Sequence, residues 1–374
     1  MKVGIVAGEK SGDYLGAELI KAIRARHSNA EFIGLCGPLM QEQGGVSLAQ
    51  METISIMGLE GLLGSVREIL GIRKKIRKYM LDWQPDVFIG IDVPDFNLAL
   101  EIKLKNAGIP TVHYVSPTVW AWRGGRINKI KRAINLMLTL FPFEEAFYQQ
   151  HDTPVKYVGH PLAKPVLQWQ VQESFRQENV VSDKRVIAIL PGSRMSEASR
   201  LAPIMLEAVT QLSVRYPDLQ FLLPAANDKI RDYLKTELQV ETMPVRVVDG
   251  HSRDVLALSD VAILASGTAA LEAALFAKPM VVMYKVSKLT EMIASRTMVV
   301  EHYSMPNHLT SPPAVKELTQ EQATVENLLA EVGRLLDDKE YYQTMQTALA
   351  KVAPALNENS GELACIAIEE LIAK

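Results

Sequence analysis

Residues Val261–Tyr284 read VAILASGTAALEAALFAKPMVVMY. Two apolar runs, Val261–Ala265 and Pro279–Tyr284, flank a Ser-Gly-Thr corner and an Ala-rich stretch. Such runs around a helix-forming segment predict a strand, a tight turn, a helix and a second strand. Gly267 has no Cβ, so the backbone there can press close to a ligand. Thr268 is expected to cap the helix, with Glu272 about one turn further on. The first N–H groups of a helix lack internal partners, and the dipole leaves that end positive. Ser266–Ala269 is therefore a corner where a phosphate is well received. A carboxylate at Glu272 can accept hydrogen bonds from both vicinal hydroxyls of a ribose. Turn geometry at Gly267 and dipole compensation by Glu272 account for the same residues, so the choice rests on the neighbouring stretches.

Outward from this unit the alternation continues. Val186–Leu190, Gln220–Leu223 and Val245–Val248 precede it as strands. In the first half, Val3–Ala7, Glu31–Leu35, Val87–Ile91, Thr111–Val115, Leu136–Leu140 and Tyr157–Val158 are separated by helical segments. Strands alternating with helices predict parallel sheets covered on both faces. The pattern breaks near Gly159-His160-Pro161 and a polar stretch, Gln168–Lys184, follows. We therefore expect an α/β chain of two doubly wound Rossmann-like domains facing a cleft. The first spans 1–163 and the second 164–345, with helices over 346–374 packing back on the first. Ligands of such sheets sit beyond the carboxyl ends of the strands.

The 374 residues are too many for one ordinary core. A net charge of −3 gives no general affinity for nucleic acid, so any such affinity must be local. Cys36 and Cys365 alone support neither a disulfide framework nor a typical zinc site, which fits a reducing compartment. The chain enters a strand at once, without the longer apolar run of a signal peptide, and no apolar stretch reaches the ~18 residues of a membrane span. A cytoplasmic location is expected.

Several strand ends carry chemistry-bearing residues. After Val3–Ala7 comes Gly8-Glu-Lys-Ser-Gly-Asp13, whose two glycines and serine allow close backbone approach to a polar ligand, so Gly8, Glu9, Ser11, Gly12 and Asp13 are expected near the site. It is neither GxGxxG nor a P-loop, and helix capping also explains Ser11 and Asp13. Asp92, in GIDVPDFN, is the first polar residue after Val87–Ile91, at the lip of the sheet, where a general base is well placed. Asp95 is the alternative helix cap. HYVSPTVWAW ends another strand. Trp120 and Trp122 offer broad apolar faces, and Arg123 and Arg126 open a local basic cluster suited to phosphate. Core tryptophans beside a solvated basic helix explain these residues equally well. Leu62, Leu63, Val66 and Ile69 belong to an apolar segment that runs into Arg73–Lys78. That arrangement suits the membrane interface, with cations meeting headgroups; packing on the sheet is the other reading. The second half opens with LPGSR, where Ser193 and Arg194 form a second anion-receiving corner and Glu197 can orient the guanidinium. Ser304–Leu309 and Lys316–Gln320 read as loops.

Taken together, AGEKSGD, GIDVPDFN, HYVSPTVWAW, VGHP, LPGSR, LASGTAALE, MPNHL and KELTQ closely resemble the lipid-A-disaccharide synthases, inverting glycosyltransferases of the GT-B architecture. The segments fall in order from residue 7 to residue 320. The resemblance implies transfer of 2,3-diacylglucosamine from UDP to 2,3-diacylglucosamine 1-phosphate. The product is a β-1,6-linked disaccharide 1-phosphate with UDP released, and neither metal nor cofactor is required. An enzyme peripherally associated with the cytoplasmic face of the inner membrane is expected. By this resemblance Asp92 matches the family's important acid and Arg194 its donor-binding arginine. Ser193, Ser266, Gly267, Thr268, Ala269, Glu272, Asn307, Glu317 and Gln320 fall on the nucleotide-sugar side, and the tryptophan–arginine and apolar segments on the acceptor side. Cys36, in GLCGPLM, stands where a smaller residue is expected. A non-hydrolysing UDP-sugar 2-epimerase, a transferase with a soluble acceptor and a non-catalytic nucleotide-sugar scaffold are the competing readings. Acceptor-dependent UDP release separates them.

Overall fold

The computed structural model describes residues 1–55, 63–121, 124–180, 183–287, 291 and 301–373. It divides into two compact units, Met1–Pro161 with Leu356–Lys374, and Leu162–Ala355.

In the first unit the strands are β1 (Lys2–Ala7), β2 (Glu31–Leu35), β3 (Gly45–Ser47), β4 (Val87–Ile91), β5 (Thr111–Tyr114), β6 (Leu136–Thr139) and β7 (Val155–Tyr157). They form one sheet in the order β3-β2-β1-β4-β5-β6-β7, and every pairing is parallel. Parallel strands covered on both faces read as continuous apolar runs, and all five residues of β4 are buried. The strand order reverses between β1 and β4. Connections leaving neighbouring strands to opposite faces open a crevice at that point, flanked here by Gly8–Asp13 and Asp92–Phe96.

The second unit repeats the plan with β8 (Arg185–Leu190), β9 (Leu219–Ala225), β10 (Arg246–Asp249), β11 (Val261–Ala265), β12 (Met280–Tyr284) and β13 (Lys316–Thr319). The order is β10-β9-β8-β11-β12-β13, again all parallel. Its reversal lies between β8 and β11, beside Pro191–Arg194 and Ser266–Ala269.

Ser304–Leu309 is not all loop, because Met305–Leu309 forms a short helix with Pro306 in its first turn. Lys316–Thr319 is an edge strand rather than a loop. Paired on one side only, it tolerates Lys316 and Glu317 and so lacks the apolar signature of an inner strand. Ile69 is not a lipid-facing residue. It lies on the helix Leu63–Trp83, only 5% exposed, and packs with Ile76, Met80, Phe88 and Phe96 over the sheet.

The C-terminal helix Ser360–Ile372 lies against the first helix, Lys10–Arg26. A Cβ at Gly361 would stand 2.9 Å from the Glu18 carbonyl, so no larger residue fits this crossing. At the far end Arg26 and His27 hold Glu369 at 2.8 and 2.7 Å, and hydrogen bonding from Arg26 draws that carboxyl down to about 2. Among the described residues no helix is long and apolar enough to cross a membrane.

Candidate functional site

A pocket of about 350 Å³ opens at the strand-order reversal of the second unit, lined by Leu190–Arg194, Glu197, Pro224–Ala226, Gly250, Ser252 and Ala265–Ala269. It brings Ser193 and Arg194 together with Ser266, Gly267, Thr268 and Ala269. Two helices begin at its wall, Met195–Arg215 and Thr268–Leu275. The cap of the second is Gly267, not Thr268, which is already the first helical residue. Gly267 adopts φ +154°, ψ −154°, a conformation open to glycine, and a Cβ there would meet no atom within 4 Å. The backbone is thus bared toward open space. At the other corner Gly192 has φ +116°, and a Cβ would meet the Glu197 Cβ at 2.7 Å, so glycine is required for the loop to fold onto its helix. Arg194 is 69% exposed and held by Glu197 at 3.0 Å. Asn227 steadies the loop by donating to the Ser193 carbonyl at 3.0 Å while capping its own helix.

Glu272 does not line this pocket but an adjoining one of about 860 Å³ that also includes Ser252. Arg253 donates to Glu272 at 2.9 Å and lies over the Trp169 ring at 5.5 Å. Trp169 donates in turn to Asp254 at 3.0 Å. Sequence reasoning missed Arg253 and Trp169, because only the fold brings residues 169, 253 and 272 together. Asn307 and Glu317 meet each other rather than the pocket. Glu317 accepts from the Tyr303 and Ser304 amides, the Ser304 hydroxyl and the Asn307 amide at 2.6–3.1 Å. With those acceptor positions filled, the pair shapes the 303–317 segment, which includes the short helix Met305–Leu309. Ser266 ties that segment to the pocket by donating to the Tyr303 carbonyl at 2.7 Å. Gln320 accepts from the Val286 amide at 2.8 Å.

In the first unit Asp92 is half-buried at the end of β4. Asp92 and Val93 both have positive φ, 53° and 43°. For a β-branched residue this is a costly backbone state, of order 1–3 kcal/mol, and such strain clusters at functional sites. Gly8 is packed on this turn, since a Cβ there would lie 2.6 Å from Val93 Cγ2, and Gly12 faces Ile91. Glu9 occupies the position before the first helix without a side-chain capping hydrogen bond, and Ser11 is exposed on that helix. Asp13 is 3% exposed, and its carboxylate accepts the Leu39 and Met40 amides at 3.0 Å, capping the helix Pro38–Glu42. Asp95 sits in the first turn of its helix and pairs with Arg126 at 2.9 Å.

Trp120 donates to Glu144 at 3.1 Å and meets Phe143 edge-on at 4.8 Å. Burial raises the Glu144 carboxyl to about 7. Leu62, Trp122 and Arg123 lie outside the described residues, as do the side chains of Leu63 and Val66. Further along the same helix Arg73, Lys74, Arg77 and Leu70 border a groove of about 300 Å³ with Lys103.

The family described as lipid-A-disaccharide synthetase matches residues 3–370. The lipid-A-disaccharide synthase of Alcanivorax borkumensis is 44% identical over 372 residues, covering 99% of this chain and 97% of that protein. The enzyme of the same name from Pseudomonas aeruginosa is 44% identical over 361 residues, 95% of this chain and 96% of the other. Among solved structures, the UDP-GlcNAc 2-epimerase from Neisseria meningitidis bound to UDP-GlcNAc superposes with a TM-score of 0.66 at 15% identity, covering 100% of both chains. The glycotransferase of kitacinnamycin gives 0.63 at 15% identity, over 99% of this chain and 98% of that one. At such identities the structural likeness establishes the two-domain fold alone.

Proposed function

The chain belongs to the lipid-A-disaccharide synthases, and from that premise we propose how its two switch points divide the chemistry. The reaction condenses UDP-2,3-diacylglucosamine with 2,3-diacylglucosamine 1-phosphate, giving the β-1,6-linked disaccharide 1-phosphate and UDP. Inversion in one displacement requires a base for the acceptor hydroxyl and stabilisation of the departing diphosphate. Asp92 takes the proton of the acceptor 6-hydroxyl as its oxygen attacks the anomeric carbon, and the bond from that carbon to UDP breaks. The charge developing on the diphosphate is received by the bared amides at Gly267–Ala269 and by Arg194, placed where the charge appears. The adjoining pocket accommodates the nucleoside, with Glu272 on the ribose hydroxyls. The observation that carries this reading is the pocket itself, built from two glycine-bearing corners and an exposed arginine at the sheet's reversal point. On the acceptor side, Trp120 presents an apolar face. Arg73, Lys74 and Arg77 beside exposed Leu70 supply the cations and apolar surface for peripheral attachment to an anionic bilayer, on the cytoplasmic side where nucleotide sugars are held.

The test is UDP release from UDP-diacylglucosamine with and without acylated glucosamine 1-phosphate in detergent. Release dependent on acceptor is expected. Release or epimer formation without acceptor would transfer the chain to the epimerase reading.

A further inference from the structure

Beneath the Asp92 turn lies a polar layer with no direct access to solvent. Asn97 and Glu101, four residues apart on the helix Pro94–Lys105, share the face turned to the sheet. They pack over Gly90 of β4, where a Cβ would collide with Glu101 Oε1 and with Asn97. Gly90 pairs in register with His113 of β5, and His113 Nδ1 lies 2.7 Å from Glu101 Oε1. All three polar side chains have zero exposure. Asn97 Oδ1, Glu101 Oε2 and His113 Nε2 have no hydrogen-bond partner among the described residues. An apolar core would avoid the cost of such orphaned groups, so the layer serves something other than stability.

Asn97 shows what that is. Its Nδ2 donates to the Asp92 carbonyl at 2.8 Å and reaches the Ile91 carbonyl at 3.3 Å. From the other side the Asp92 amide donates to the Tyr114 carbonyl at 2.8 Å. We propose that Asn97 is a positioning residue: its amide clamps the carbonyls of Ile91 and Asp92, holds the Asp92–Val93 turn in its left-handed form and thereby fixes where the Asp92 carboxylate stands. The Gly90 slot and the Glu101–His113 pair are the floor that keeps Asn97 in place. This inference rests on the assignment of Asp92 as the base, and its test separates the two.

Turnover and UDP affinity are measured for Asn97→Ala, for Asn97→Leu, which keeps the branched shape while removing every hydrogen-bond donor, for Asp92→Asn and for the double variant Asp92→Asn/Asn97→Ala. A misplacement of about 1 Å can cost roughly 100-fold in rate. Asn97→Ala is therefore expected to lower kcat by up to about 100-fold, with KM for the donor and UDP affinity unchanged. Because Asn97 acts through Asp92, the double variant should be no slower than Asp92→Asn alone. Full turnover in Asp92→Asn would remove the base and this proposal with it. Loss of turnover in Asp92→Asn beside full turnover in Asn97→Ala, or losses that multiply in the double variant, would overturn the positioning role alone. If Asn97→Ala fails to fold, Asn97→Leu decides: kcat lost at constant UDP affinity supports the clamp, and wild-type kcat refutes it.

Discussion

Arg194 occupies the cap position of a 21-residue helix with its guanidinium largely in water. An exposed ion pair of the kind it makes with Glu197 adds little to stability, so its removal should leave melting unchanged. Against a diphosphate the same group makes charge-assisted hydrogen bonds contributing ~1.5–3 kcal/mol. Arg194→Ala is therefore expected to weaken UDP binding by roughly 10- to 100-fold by titration calorimetry; unchanged affinity would take the residue out of the donor site. At this scale the sequence was legible where a residue's role is set by its neighbours in the chain. Arg194 follows Pro-Gly-Ser after an apolar run, and Asp92 is the first polar residue beyond another. It was illegible where the partner is remote. The Asp13 cap involves Leu39 and Met40, and Arg253 gains its meaning from Trp169 and Glu272. No local pattern announces either.

The helix Pro142–Gln150 shows how an element can make the Trp120 hydrogen bond sensitive to pH. Glu144, in its first turn, accepts from the Phe141 amide and from Trp120, and is 3% exposed. Burial raises its carboxyl from 4.5 to about 7. The folded state then binds the proton more tightly than the unfolded one. This group's contribution is most favourable below the unfolded value and is lost as pH rises toward about 7, a change of about 3 kcal/mol at most. Glu144→Gln should flatten that part of the stability curve between about pH 5 and pH 7.5, read from denaturant midpoints. A variant with the wild-type slope would contradict the assignment. Elements were readable in proportion to their burial. β1, β4 and β11 are apolar runs because both faces are covered, whereas β13 is an edge with two charged residues and offers no such run. The helix Leu63–Trp83 carries enough apolar residues to suggest a lipid-facing surface. Its Ile69 and Ile76 are nevertheless turned inward, which composition alone does not distinguish.

For the whole molecule, the recurrence of one topology in both units decides where chemistry can sit. Each sheet reverses its strand order once, between β1 and β4 and between β8 and β11, and the residues singled out as base and as diphosphate receiver follow those strands. Both cysteines are buried, with burial raising Cys36 to about 12 and Cys365 to about 11, so thiol chemistry is no part of the account. The central claim is that the second unit alone grips the nucleotide. Hydrogen exchange of the full chain with saturating UDP tests it most directly. Slowed exchange is expected at the amides of Ser193, Arg194, Thr268 and Ala269, with the Gly8–Asp13 loop unchanged. Slowed exchange at Gly8–Asp13 with none at residues 193–194 and 268–269 would contradict it.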